Sequence, residues 1–300
     1  AYLPLFMMGA KLFFNLLSYF CMALLPSFID PEKNDKKFWI KALFFSSLLP
    51  VIIANLDMAR GGVFFPDAGN RILGTFTHPN ILGFYLVWVM MLVLYILKSG
   101  LLRLSGTQKA FLLLYFVDLA VLLVETKTRN AWICAWLLFF IYGFFKEKKY
   151  MLFPILLLGV GFLLSGVAAR VTDLFAHNSE QENSFAWRVE VWKNSWEWIL
   201  ERWAFGHGLG SFRELSRNFL TQNKSGAEAH NVYVQLSFEA GLAGLAAYLS
   251  IYWIFFRECY RRFKKAAGGL SFEYAIVLSY LIIYLVSGFG DNMLYYLTLN

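Results

Sequence analysis

The sequence predicts an all-α polytopic membrane protein, and three observations carry that prediction. The first is composition: 59% of the 300 residues are hydrophobic, 19% are aromatic and only 16% are charged. With a mean hydropathy of +0.53, that balance lies outside the soluble globular range. The second is segment length. A helix crossing a hydrocarbon core of about 30 Å takes roughly 20 apolar residues. About eight stretches read as spans on this criterion: 1–28, 38–56, 75–97, 108–124, 130–145, 151–169, 231–256 and 272–299. The third is the placement of positive charge. Lys33, Lys36, Lys37 and Lys41 share one connection, and Lys98, Arg103 and Lys109 share another. Lys146, Lys148 and Lys149 form a third group, and Arg257, Arg261, Arg262, Lys264 and Lys265 a fourth. These connections alternate with less basic ones, as the positive-inside rule requires. The net charge of +7 is therefore a topology signal and not a nucleic-acid footprint. The basic connections are expected to face the cytoplasm, and residues 57–74, 125–130 and 170–229 the opposite side.

Taken in order, Ala1 already stands inside an apolar run, which reads as a chain with earlier helices missing. No basic n-region or small-residue cleavage site marks a secretory signal there. The spans 108–124 and 130–145 provide only about 25 and 24 Å of helix, so the turn Glu125–Asn130 is expected to lie in a recess. Residues 170–229 read as a periplasmic insertion in an otherwise single membrane domain, 1–300. Within it, Phe185, Val189, Trp192, Trp196, Ile199 and Trp203 recur at helical spacing and predict an amphipathic helix over 185–203. Trp187, Trp192, Trp196, Trp198 and Trp203 suit a helix lying at the membrane–water boundary. The run Gly206-His-Gly-Leu-Gly210 follows no strand, so it predicts a tight turn with close backbone approach and not a nucleotide loop. The cysteines Cys21, Cys134 and Cys259 have no metal-ligand or redox spacing and read as small buried hydrophobes.

The expected outer rim gathers cations. Arg71, His78 and Asn80 surround the entry to the third span. Lys127 and Arg129 occupy the turn after the fourth, Arg188 lies on the amphipathic helix, and His230 opens the seventh span. Arginine matches phosphate oxygens through bidentate hydrogen bonds, so such a set suits a diphosphate. A compartment without ATP needs pre-activated substrates, and a lipid-linked sugar diphosphate is one whose leaving group the arginines would stabilise. Asp57, Asp67 and Glu125 are scattered and the histidines lack ligand spacing, so no metal or other cofactor is expected. His230, at a helix N-terminus where the dipole disfavours imidazolium, is the candidate general base. His177 and His207 lie in loop sequence and read as solvent-exposed. Lys11, Asp118 and Glu239 are charges placed within spans, and Glu239 is expected to pair with a buried cation.

The pattern His230-Asn231, nine residues, Gly241-x-x-Gly244 resembles the signature of the O-antigen ligases and the related O-antigen polymerases. Gly74-x-Phe-x-His-Pro-Asn-x-x-Gly83, Thr128-Arg129, Arg188-x-x-x-Trp192 and Gly206-x-Gly-x-Gly210 are similar to further family elements, in the same order. The resemblance implies a lipid-carrier glycosyltransferase architecture (GT-C-like) with a periplasmic loop over a lateral cavity in a bacterial inner membrane. It also implies inverting, metal-independent transfer from an undecaprenyl-diphosphate-linked glycan to a hydroxyl, that of lipid A–core above all. A second lipid-linked glycan (polymerase) and a protein side chain (O-oligosaccharyltransferase) are the other acceptors. By position, Arg129 and Arg188 would bind the diphosphate and His230 would be the base. Arg71, His78, Asn80, Lys127, Asn231 and Glu239 are supporting candidates. The reading from another class, a transporter of lipid-linked glycans, would require matching halves around a midplane site, and the sequence shows none.

Overall fold

The computed structural model describes residues 36–62, 71–152, 184–220 and 228–295. All regular secondary structure among these residues is helical. The chain is a polytopic membrane protein, and five of its described helices are long and apolar enough to cross a bilayer. They are α1 (Lys36–Ala59), α2 (Pro79–Lys98), α3 (Gly106–Glu125), α7 (Val232–Lys265) and α8 (Gly268–Ser287). The 17-residue α4 (Arg129–Phe145) is apolar but shorter. The remaining helices are α5 (Ser184–Glu201), α6 (Ser211–Phe219) and 3-10 turns at Lys148–Met151 and Met293–Tyr295. The expected spans 1–28 and nearly all of 151–169, together with Lys11, Asp67 and His177, lie outside the described residues.

Two expectations about length are corrected. The fourth span is not short: α3 has 20 residues because Ser105 and Gln108 form a capping box that starts the helix two residues earlier than apolarity suggests. Of the pair flanking the 126–128 turn, only α4 falls below bilayer length. The last span does not run to 299: α8 stops at Ser287, where Gly288-Phe-Gly-Asp-Asn292 ends it. Glycine costs more than other residues in a helix, and Asp and Asn compete for backbone partners.

The described chain forms two compact units. A bundle unit takes residues 36–152 and 259–283, and a loop unit takes 184–258 and 284–295. In the bundle unit α2 is the central helix. Leu82, Leu86, Val89, Met90, Met91 and Val93 are all buried in the core shared with α1, α3 and α4. On α1 and α3, Phe45, Leu49, Leu113, Leu114 and Val117 remain exposed. Apolar side chains on the outside of a bundle are what a lipid solvent requires. Within the spans Asn55 Nδ2 donates to Asp118 Oδ2 at 3.0 Å, and two further sets of polar groups stand at the ends of this unit. One end joins Lys36 and Tyr95 to Glu273, and Lys98 and Lys149 to Glu147. The other holds Asp57, Arg71, Asn80 and the 126–128 turn.

In the loop unit, α5 and α6 close over a small core of Val191, Ile199, Phe212, Leu220, Ala229 and Phe238. α7 is broken at Gly241, whose φ of 65° and ψ of −169° are non-helical. The broken ladder is re-satisfied by the chain that follows α5. Leu242 N–H donates to the Trp203 carbonyl at 2.7 Å and Ala243 N–H to Ala204 at 3.1 Å. In the opposite sense, His207 N–H donates to Phe238 and Gly208 N–H to Glu239, each at 2.9 Å. A backbone break at membrane depth is tolerated only where such partners exist. A Cβ on Gly206 would lie 2.4 Å from the Glu239 carbonyl carbon, and one on Gly241 2.4 Å from that of Ala204. The two glycine motifs of the sequence are thus the two sides of one backbone crossing.

Candidate functional site

His230 begins from an unusual backbone. Its φ is 48°, in the left-handed region that non-glycine residues seldom enter. The flanking groups hold it there. Ala229 N–H donates to Gln235 Oε1 at 3.2 Å, and the Ala229 carbonyl accepts from Trp192 Nε1 at 2.8 Å. On the other side, Asn231 Oδ1 accepts from the Tyr233 and Val234 amides and so caps α7. Val232 N–H reaches the Gly288 carbonyl at 2.9 Å and Asn231 Nδ2 the Phe289 carbonyl at 3.3 Å. The segment after α8 therefore folds back over the start of α7.

That fold-back delivers Asp291. Its carboxylate is fully buried and lies 3.5 Å from His230 Nδ1. A carboxylate on Nδ1 selects the tautomer whose proton is on that nitrogen, and Nε2 is then the one able to accept. The imidazole also meets Trp187 of α5, ring centroids 5.5 Å apart. Sequence reasoning missed Asp291, because residues 272–299 were read as one span and the carboxylate inside it was passed over. The signal was present: an acid within an apolar stretch, directly after the glycines Gly288 and Gly290 that end a helix, is a functional candidate by default.

Arg188 sits one residue beyond Trp187 on α5, and α5 is anchored beside His230 through Trp192. Its Nε is buried with no hydrogen-bond partner among the described residues. An unpaired buried guanidinium donor is costly, and it is a group that an anionic ligand would satisfy.

Glu239 has no cation partner among the described residues, contrary to expectation. Its buried carboxylate accepts from Gly210 N–H at 2.8 Å, Phe212 N–H at 3.3 Å, Gln235 Nε2 at 3.2 Å and Tyr295 Oη at 2.9 Å. A carboxylate at the N-terminus of α6 is favoured by the helix dipole and by the open amides there. Gln235 in turn accepts from Asn292, which neighbours Asp291. One polar chain therefore joins Glu239 to the residue beside the His230 partner. His207 is likewise not the solvent-exposed histidine expected. It stacks on Phe238 at 4.7 Å, and Nε2 lies 2.8 Å from the Trp198 carbonyl.

The second group of candidates belongs to the bundle unit. Arg71 donates from Nε to the Thr126 carbonyl at 2.8 Å, and from one Nη to Thr128 Oγ1 at 2.8 Å and Asn80 Oδ1 at 3.0 Å. His78 is the N-cap of α2, its Nδ1 accepting from Asn80 N–H at 3.1 Å, with Pro79 in the first turn. Asp57 holds the approach by accepting from Leu73 N–H at 2.7 Å and Gly74 N–H at 3.1 Å. A Cβ on Gly83 would stand 2.9 Å from Ala131 Cβ, so only glycine lets α2 close on the start of α4. Lys127 adopts a φ of 51° in the turn, and Arg129 is the first residue of α4. Arg71, Asn80 and Gly83 thus act on the loop that presents Arg129. Among the described residues no group of His, Cys, Asp and Glu could hold a metal ion.

A family model described as O-antigen ligase matches residues 111–249. That interval runs from α3 to the middle of α7 and includes Arg129, Arg188, His230 and both glycine motifs. Over residues 111–249, just under half of the chain, the sequence is similar to the O-antigen ligase family. The match supports a role of the membrane ligase or polymerase type in general terms. No curated protein matches the chain. Asp291 lies beyond the matched interval, whereas the histidine it contacts lies inside.

Proposed function

We propose that this protein transfers a glycan from undecaprenyl diphosphate to an acceptor hydroxyl, with inversion at the anomeric carbon and without a metal. In the reading we favour, the acceptor is a sugar of lipid A–core and the reaction faces the periplasm. The observation that carries the mechanism is the His230–Asp291 pair, 3.5 Å apart, with the carboxylate buried and the imidazole in part exposed.

Asp291 accepts from Nδ1–H and fixes the ring, leaving Nε2 to take the proton of the incoming hydroxyl. The acceptor oxygen attacks the anomeric carbon, the bond from that carbon to the diphosphate oxygen breaks, and the electron pair leaves with the diphosphate. Arg188 neutralises the charge that develops on it, a role the family resemblance also gives to Arg129. The unpaired Nε of Arg188, on the helix that also supplies Trp187 to the imidazole, supports its share of that role.

The test is transfer by purified protein in detergent, supplied with a lipid-diphosphate glycan and an acceptor. His230→Ala should abolish transfer while the donor still binds, and full transfer by a folded His230→Ala protein overturns the base assignment. Product formed in detergent, where no compartments exist, rules out a pure transporter. The product also separates the acceptors: one intact chain on core oligosaccharide is ligation, and repeat units joined into a longer chain are polymerisation.

A further inference from the structure

We propose that the aromatic edge formed by Trp196, Leu200, Trp203 and Phe205 is a bilayer-contact surface. It dips into the leaflet on the His230 side and fixes His230 above the lipid, not within it. The sequence marks the segment as interfacial, and the structure decides which residues meet lipid and at what depth.

Residues around α5 divide into three sectors, since each step turns about 100° at 3.6 residues per turn. Val191, Ser195 and Ile199 face the buried core of the loop unit, whereas Lys193, Glu197 and Glu201 take the opposite side. Between them lies a third sector, Trp196 and Leu200, which is apolar yet exposed, and Trp203, in the turn that follows α5, is exposed as well. Phe205 continues it and is 80% exposed. Large apolar groups packed side by side and left uncovered mark a contact surface. A polar sector directly alongside is the arrangement of a helix lying at the interface.

The backbone crossing supplies the depth. Trp203 accepts from the Leu242 amide at 2.7 Å, so the edge meets α7 at Leu242. At that same residue α7 changes character. From Val232 to Ala240 most side chains are buried or half-buried, whereas Leu242, Leu249, Ile251, Ile254 and Phe255 are exposed apolar groups. The lipid-facing band of α7 therefore begins where the aromatic edge sits, and the two surfaces are continuous.

Length sets how deep the edge lies. From Leu242 to Phe256, the last residue before the basic end, helical rise supplies about 22 Å of a core of about 30 Å, so Leu242 sits within the leaflet and not at its surface. The nine residues before the break rise about 13 Å, more than the remaining thickness, and so carry the start of α7 out of the core. The other occupant such an edge could take is a second copy of the chain. The coincidence with the lipid-facing band of α7 favours the bilayer.

The test is nitroxide accessibility in lipid nanodiscs on the full chain, with Cys21, Cys134 and Cys259 replaced. Labels at Phe205→Cys and Trp196→Cys should be reached by oxygen and shielded from a water-soluble nickel chelate, at a depth matching Leu242→Cys. A label at Lys193→Cys should show the reverse. Nickel access at Phe205 and Trp196 equal to that at Lys193 overturns the proposal. So does shielding from both reagents, the mark of a protein partner. If either edge variant fails to fold, the other decides. The labels report placement whether or not His230 catalyses transfer, so this result and the transferase test fail separately.

Discussion

Gly241 and Gly208 are indistinguishable as letters of a motif, and the structure makes opposite predictions for them. Both have positive φ, 65° and 106°. Alanine at Gly208 would meet no atom within 4 Å, so its cost is backbone strain alone, about 1–3 kcal/mol. Alanine at Gly241 incurs the same strain in a region that only glycine populates. Its Cβ would also stand 2.4 Å from the Ala204 carbonyl carbon and oxygen. Those are backbone atoms held by the Leu242 and Ala243 hydrogen bonds, so they cannot rotate away as a side chain could. Overpacking of this kind adds about 1–3 kcal/mol, for a total of about 2–6 kcal/mol. The assay is thermal unfolding of the purified variants in one detergent, followed by size-exclusion recovery. Gly241→Ala should lower the transition clearly more than Gly208→Ala. It should also lower transfer in the folded fraction, because the first half of α7 carries His230. Equal destabilisation by the two substitutions would refute the account of the crossing.

Asp291→Asn keeps the size of the side chain but offers an amide in place of the carboxylate. It should reduce turnover by about 10²–10⁴-fold with donor binding intact, measured as transfer and donor retention on one sample. Arg71→Lys keeps the charge and loses the fork that reaches Thr126, Thr128 and Asn80 together, so donor affinity should fall even though the protein folds. Donor titration by binding, compared with Arg129→Ala, checks this, and unchanged affinity would remove Arg71 from the positioning of Arg129. Burial pushes the Glu147 carboxyl up, but the hydrogen bonds and charges of Lys98 and Lys149 outweigh it and hold the group below its ordinary value of 4.5. Its contribution is therefore present above the unfolded value and lost as pH falls through the lowered one. Glu147→Gln should be less stable than the parent near neutrality, and the difference should shrink as pH falls below the ordinary value of 4.5 and vanish only below the lowered one, followed by unfolding across pH.

The membrane class, the existence of each described span and the helix over Ser184–Glu201 were legible in the sequence, because composition, segment length and helical periodicity are local properties of the chain. The candidates His230, Arg129 and Arg188 were legible for the same reason: charge in or beside apolar sequence is expensive and therefore conspicuous. What each polar group does was decided only by tertiary structure. Glu239 reads as a carboxylate in search of a cation, yet it is satisfied by the amides of Gly210 and Phe212, which stand 27 or more residues away. Arg71 reads as another phosphate ligand, yet its fork closes on Thr126, Thr128 and Asn80. Asp291 was hidden inside an apolar stretch until the end of α8 at Ser287 folded it back against His230. A hydrogen bond depends on where two distant segments meet, and that meeting is set by packing across the whole unit, which no window of sequence contains.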